Sequence, residues 1–418
     1  MDSKQFKEAA ASAIDEIVNY YDTIEDRRVV SNVEPGYLKK LLPEGPPQDG
    51  ESWADIQKDM ETKIMPGLTH WQSPNFMAFF PASSSFPGML GELYSAAFTA
   101  PAFNWICSPA ITELETVVLD WLAKLLNLPD CYLSTSHGGG VIQGSASEAI
   151  VTSMVAARDK YLRETTSHLS GLELEDAIAH KRMCPEFQHL TAEFEHFHSF
   201  DMNMHKWLLT NFDASCLFVR KRKDLIDALS IMPSYLRNEF SDSGLVTDYR
   251  DWQIPLGRRF RSLKIWFVLR TYGVNGLQAH IRKHIKYGEV FAGLIKSRPD
   301  IFDMISGPNF ALTVFKIATK SGGKPEQDKL TKEVYELSNK RGEIFLTSGV
   351  VEGDYAIRVV SANPLAEERF LHKAFKILVA TTEEVRDGKT VENGINGVLK
   401  DYKGVGDVAI EKENGVTV

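Results

Sequence analysis

The chain has 418 residues, 43% of them hydrophobic and 25% charged, enough apolar material for a large core divided into two or three regions. A formal net charge of -9 and a pI near 5.7, with no basic stretch interleaved with aromatics, argue against a nucleic-acid partner. No apolar run reaches membrane-spanning length, the first residues carry no secretory signal, and the four cysteines are scattered; the expectation is a cytoplasmic protein with buried free thiols and no membrane partner, disulfide framework or metal cage.

In chain order, residues 3–21 set Phe6, Ala9, Ala10, Ile14, Ile17 and Val18 at helical spacing, and 53–64 repeat the pattern more weakly, which predicts a helical N-terminal segment. Residues 33–36 and 42–47 are rich in Pro and Gly and predict turns. From 70 to 87 the chain is dense in aromatics, including Trp71, Phe76, Phe79 and Phe80, and runs into Ala82, Ser83, Ser84 and Ser85: a wall of rings on irregular backbone. Residues 112–126 predict an amphipathic helix, with Thr112 and Glu115 in capping-box relation and Pro109 just before it.

The glycine-rich run 137–144 reads as a loop feeding a helix from about Ser147 to Leu162. His196 and His198 alternate on one face of a predicted strand; two ligands without a third read as a satisfied or solvent-facing pair, so no metal is expected. Leu217, Phe218 and Val219 predict a strand, and 262–272 a buried helix. Beyond 307, strands at 311–317, 344–346 and 356–360 alternate with helices at 330–339 and 364–385, a small α+β domain followed by a polar tail read as disordered.

Two of these features carry chemistry. A glycine-rich loop feeding a helix offers backbone N–H groups and a helix N-terminus to an anion such as a phosphate, although the spacing fits neither a nucleotide-triphosphate nor a dinucleotide loop, and a plain strand-to-helix turn reads equally well. Lys206 stands between His205 and Trp207, a setting that desolvates an amine and favours its nucleophilic form. An isolated lysine of this kind is by default a surface residue. The combination of phosphate cradle, aromatic wall and sheltered lysine is what a pyridoxal phosphate enzyme requires.

Four runs in fixed order, 108–115, 138–149, 203–209 and 248–264, resemble the pyridoxal-phosphate-dependent aromatic L-amino-acid decarboxylase family, and the resemblance runs from about Phe6 to Val385. It implies an aspartate-aminotransferase-like (type I) α/β large domain, here shortened, with N-terminal helices and a small α+β C-terminal domain. The expected divisions are 1–85, 86–263 and 264–400, with a tail at 401–418. The resemblance further implies that Lys206 carries the pyridoxal 5'-phosphate, Ala146 and Ser147 hold its phosphate, and Asn203 lies in the cofactor shell. Trp71, Phe79, Phe80 and Phe103 would line the substrate pocket, and Gly257 matches the glycine of relatives that accept catechol or indole rings. Tyr235 matches a mobile-loop tyrosine that protonates the carbon left by CO2, which favours simple decarboxylation. His205 is read either as a helper in proton transfer or as a packed neighbour of Lys206. The implied reaction converts an aromatic L-amino acid of the DOPA, tryptophan or tyrosine type to its amine and CO2, in a homodimer whose sites use both subunits.

One departure from the family stands out. Between Ser147 and Lys206 the family has further strands and helices, which supply a histidine stacked on the cofactor ring and an aspartate paired with its pyridine nitrogen. Here 177–182 pass straight into 183–190, which the family places after that stretch. Missing strands predict unpaired sheet edges. A missing acid predicts a poorer electron sink, so the competing expectation is a catalytically inactive relative acting as a dimerisation or regulatory partner.

Overall fold

The computed structural model describes residues 1–164, 194, 196–230, 246–319 and 323–388. Three short apolar segments make the first sheet: β1 (Gly139–Gln143), β2 (Ser199–Asn203) and β3 (Ser215–Val219), in the order β1-β3-β2. Every residue of β1 and β3 is buried, because helices cover both faces, and a strand buried on both faces reads as a continuous apolar run. Before the sheet lie α1 (Ser3–Thr23), α2 (Phe86–Ala97) and α3 (Pro109–Leu125). Helix α4 (Ala146–Glu164) follows β1, the single turn α5 (Met204–Trp207) follows β2, and α6 (Arg222–Leu229) follows β3. Val118, Leu119 and Leu122 of α3 pack on one face with Phe200, Met202, Cys216 and Phe218; Ala149 and Ala156 of α4 and Leu225 of α6 pack on the other with Val141, Leu217 and Val219.

Helix α7 (Arg261–Lys296) leads from this sheet to the next and is interrupted at Gly273, whose φ of 62° and ψ of 178° are not helical. The second sheet is antiparallel, β4-β5-β7-β6, from β4 (Phe302–Asn309), β5 (Leu312–Ile317), β6 (Thr347–Val351) and β7 (Asp354–Val360). Its core joins Phe315, Ile357 and Val359 to Phe291 and Ile295 of α7, Val334 of α8 (Gly323–Arg341) and Phe370, Leu371 and Ile377 of α9 (Glu368–Arg386).

Several sequence expectations shift. The glycine run is not a loop: residues 139–143 are strand β1. A Cβ on Gly140 would meet the Phe218 ring at 3.0 Å and Leu119 at 3.2 Å, and one on Gly138 would meet the Cys131 carbonyl at 2.0 Å, so these glycines serve close packing. Helix α3 starts at Pro109 rather than at a Thr112 cap, since proline has no N–H to leave unsatisfied and its φ suits the first helical position. Glu115 is instead buried, accepting from the Ile142 N–H at 2.9 Å and from Arg258 at 2.5 Å. His196 and His198 lie in exposed chain before β2, not on a strand face. The strand expected at 344–346 begins at Thr347, while Phe345 forms an isolated bridge to Phe76. Helix α2 and strand β4 were not anticipated: Pro87 and the run Gly307, Pro308, Asn309 read as punctuation.

Candidate active site

The strand register builds the site. Both β1 and β2 run antiparallel to β3, hence parallel to each other, and Gln143 and Asn203 both lie opposite Ser215. The C-terminal ends of β1 and β2 therefore finish level, two strand spacings or about 10 Å apart. Ligands of open α/β sheets gather at such ends. Just beyond β1 begins α4, with Ala146 and Ser147 as its first two residues. Ser145 and Glu148 cap this helix reciprocally: the Glu148 N–H donates to Ser145 Oγ (3.2 Å), and the Gly144 N–H donates to Glu148 Oε2 (2.8 Å). The N–H groups of Ala146 and Ser147 are first-turn donors with no partner inside the helix, and they point past the sheet at the positive end of a 19-residue dipole.

Just beyond β2, Lys206 sits in α5, partly exposed between buried His205 and buried Trp207. This turn is clamped by the serines that end the aromatic segment. The Ser83 N–H donates to the His205 carbonyl at 2.6 Å, Ser83 Oγ donates to the Lys206 carbonyl, and Ser85 Oγ donates to the Leu209 carbonyl at 2.6 Å. Asn211 accepts from the Ser85 N–H at 3.1 Å and donates to Ser84 Oγ at 3.1 Å. Leu209 has a φ of 54°, a left-handed conformation that costs a residue with a Cβ about 1 kcal/mol and is held here by these bonds.

The same segment carries the rings to the lysine. Trp71 and Phe79 stack at 5.7 Å and 10°, Trp71 and Phe76 at 4.6 Å, and Phe80 lies 6.1 Å from Trp207. Trp71 and Phe79 stay 39% and 48% exposed, leaving a half-open aromatic face. Phe345, from the second sheet's region, closes the back of the wall against Phe76 and Phe79.

Charge at this end of the sheet is organised around Asp213. It bonds Arg261 at 2.9 Å and lies 3.8 Å from Lys264, which in turn bonds Glu92 at 2.5 Å. Burial alone would raise the Asp213 carboxyl; the Arg261 bond and the charges of Arg261 and Lys264 outweigh it and hold the group below the usual carboxylate range. Burial pulls Lys264 down, and Glu92 and Asp213 oppose the shift. His205 is pushed down to about 4, chiefly by burial. Its Nδ1 lies 2.9 Å from the Ala214 nitrogen and 3.0 Å from the Ala214 carbonyl oxygen, so the ring is anchored to backbone through this one atom.

The structure thus brings Lys206, Asn203, Ala146 and Ser147 to one end of one sheet and packs Phe80 against Trp207 in the lysine turn, while Trp71 and Phe79 form their own stack in the same aromatic segment. Phe103 and Gly257 form a second group: the Arg250 N–H donates to the Phe103 carbonyl at 3.0 Å, the Arg258 N–H to the Pro101 carbonyl at 2.9 Å, and Gly257 is exposed with open space around it. Tyr235 lies outside the described residues. Sequence reasoning missed Ser83, Ser85, Asn211, Asp213 and Arg261. The serine run was visible, but its role depends on contacts more than 120 residues away. Among the described residues no group of three or more His, Cys, Asp or Glu is placed to hold a metal.

The donor set fits pyridoxal 5'-phosphate at two ends, with free helix N–H groups for a phosphate and an amine level with them for an aldehyde. Comparison with known proteins agrees. Residues 35–182 and 176–318 match the pyridoxal-dependent decarboxylase conserved domain. The chain is similar to tyrosine decarboxylase 2 of Narcissus pseudonarcissus, 38% identical over 469 residues, covering 90% of this chain and 94% of that one. It is similar to the aromatic-L-amino-acid decarboxylase of Rattus norvegicus, 39% identical over 414 residues, covering 76% and 86%. The crystal structure of Oryza sativa TDC with PLP and tryptamine superposes with a TM-score of 0.87 at 31% identity, covering 92% of this chain and 99% of that one. The Narcissus alignment is longer than the 418-residue chain itself, so that relative has residues with no counterpart here, and the two matched pieces of the family domain meet at 176–182, where the sequence indicates the missing stretch.

Proposed function

We propose, from the premise that this chain belongs to the pyridoxal-dependent decarboxylase family, that it is a carboxy-lyase acting on an aromatic L-amino acid of the tyrosine, tryptophan or DOPA type. The bond from the α-carbon to the carboxylate breaks, CO2 leaves, the electron pair stays on the α-carbon, and one proton replaces it to give the amine. Bound pyridoxal 5'-phosphate supplies the electron-accepting ring that makes this loss possible. The relatives cited are enzymes, which lends no support to the non-catalytic alternative.

The part given to each residue is supported by its position, by resemblance, or by both. Ala146 and Ser147 hold the phosphate through backbone N–H groups, reinforced by the α4 dipole. Lys206 would hold the cofactor through its side-chain amine, and Asn203, buried at the end of β2, would lie in the cofactor shell. Trp71 and Phe79 take the substrate ring against their stacked face, and Phe80 packs behind it. His205 is the packed, backbone-anchored neighbour that orients Lys206, because a buried ring already bonded to Ala214 and neutral down to about pH 4 makes a poor proton carrier. Tyr235 is assigned the protonation of the α-carbon by resemblance alone. The histidine and aspartate of the family's ring side belong to the stretch this chain lacks, so its residues fit the phosphate and amine ends of the cofactor and leave the pyridine end without the family's acid.

A homodimer is part of the reading. Phe6, Ile14, Ile17 and Val18 on α1, and Leu90 and Leu93 on α2, are at least 42% exposed, an apolar area of the kind a partner covers. Phe103 and Gly257, joined through the backbone bonds of Arg250 and Arg258, then serve the neighbouring subunit's pocket. We further assign the divisions 1–85, 86–263 and 264–400 and a cytoplasmic location; no described helix is long and apolar enough to cross a membrane.

The observation that carries the proposal is the common register of β1 and β2 on Ser215, which supports a phosphate site and a lysine at the same end of the sheet. The test is to purify the protein with pyridoxal 5'-phosphate, record the visible absorbance, reduce with borohydride and map the modified peptide. A label on Lys206 together with CO2 and amine from tyrosine, tryptophan or DOPA upholds the reading. No label in folded protein, or aldehyde in place of amine, overturns it.

A further inference from the structure

One buried polar cluster is unused by the reaction as described. Trp207, adjacent to Lys206, is 2% exposed, and its indole N–H donates to Nδ1 of His284 at 2.9 Å with the rings 16° from parallel. His284 is fully buried on α7, beyond the break at Gly273 and one turn after His280, whose ring is 4.3 Å away. A bond between two groups sealed from water is not replaced by solvent when one is removed, so it discriminates strongly between ring positions. Its polarity also fixes the tautomer, with Nδ1 accepting and the proton on Nε2. Burial holds His284 well below the usual histidine range, His280 and Lys283 push the same way, and the Asn363 backbone opposes them; the ring remains an acceptor at neutral pH.

The bond also ties distant pieces of chain together. Trp207 ends the turn after β2, whereas His284 lies on the half of α7 that leads to the second sheet. Asn363, beside His284, donates from its side chain to the carbonyls of Trp71 at 3.1 Å and Ser73 at 2.9 Å. One neighbourhood therefore fixes both the substrate wall and the residue next to the lysine.

We propose that His284 is a positioning residue: its Nδ1 pins the Trp207 indole and, through the single turn α5, sets the direction in which Lys206 presents its amine. The inference rests on the reading of Lys206 as the cofactor lysine. Its test compares His284→Phe, which fills the space without an acceptor, with His284→Asn, whose Oδ1 takes the place of Nδ1, and with Trp207→Phe and the double variant H284F/W207F. The first readout needs no cofactor: trace acetylation of the full chain, with Lys206 reactivity measured by mass spectrometry relative to exposed Lys223. The second is the affinity for pyridoxal 5'-phosphate, followed by absorbance.

Losing the bond should change Lys206 reactivity several-fold and weaken cofactor binding about tenfold in His284→Phe, with His284→Asn within about twofold of the parent. The double variant should be no worse than either single one. Equal effects of Phe and Asn, or an unchanged Lys206 in His284→Phe, overturn the inference. Should His284→Phe fail to fold, Trp207→Phe carries the test with the same expected loss, and an unchanged Lys206 there overturns it equally. Absence of cofactor label in the parent would count against the reading of Lys206, while the acetylation comparison would still report on His284.

Discussion

The two sheets solve different problems. The second is drawn from one stretch of chain, residues 302–360, and packs a ring-rich core of Phe291, Phe302 and Phe315 against three helices. The first gathers strands from residues 139 to 219, leaves β2 paired only with β3 among the described residues, and spends its strand ends on Lys206 and the first turn of α4. The second sheet is locally connected and carries none of the candidate site residues. The first takes β1 from more than fifty residues ahead of β2 and β3, and the candidate lysine and phosphate donors stand beyond its strand ends.

This contrast can be broken or sharpened. The largest effect expected is that of Lys206→Ala, which should lower turnover at least ten-thousandfold, about 5 kcal/mol in barrier, and abolish borohydride trapping while barely moving the unfolding midpoint. Phe315→Ala, in the fully buried core of the second sheet, should do the reverse: a loss of roughly 3–5 kcal/mol in denaturant unfolding with turnover per folded molecule unchanged. A fall in turnover per folded molecule would show that the sheets are not separable.

Acid should act on the first region. His205 and His280 titrate near 4 in the folded chain, below the 6.5 of an unfolded histidine, so between those values the unfolded state binds more protons. Their stabilisation is complete above about pH 6.5 and is lost as the pH falls toward 4, each adding a slope of about 1.4 kcal/mol per pH unit. His284, shifted the same way, steepens it. The second sheet's His372, on α9, is exposed and bonded only loosely to Glu368 at 3.6 Å. Stability measured by urea unfolding should therefore drop across this window, and a flat profile would contradict the burial of these rings. The smallest effect is that of Ser83→Ala, which removes one clamp bond on the Lys206 carbonyl: about 1 kcal/mol in unfolding, together with a measurable change in cofactor affinity.

What the sequence disclosed divides along the same line. Helices α1 and α3 were legible from the spacing of their apolar residues, and strands β3, β5 and β7 from apolar runs, because these signals are local. The expectation of a site at Lys206, Ala146 and Ser147 came from the order of four motifs, and these residues finish at one end of the first sheet. The glycines at 138–140 misled, since close packing against Phe218 and Leu119 and an anion loop call for the same residue. Glu115 looked like a cap because its partners Ile142 and Arg258 are remote in sequence. The serine clamp and the bond from Trp207 to His284 were invisible for the same reason: each joins residues more than 70 positions apart.

The shared register of β1 and β2 has a further consequence. Strand β3 acts as a common datum for the ends of β1 and β2, as one rail does for two carriages. Any slip of β3 along its own axis displaces Gln143 and Asn203 by the same amount relative to Ser215, and the error cancels in the gap between them. The span between the two strand ends is thus set by the lateral hydrogen-bond spacing of strands, among the least variable lengths in a protein. A chain that differs from its relatives by a whole internal stretch can keep that span without adjustment, provided these three strands stay together.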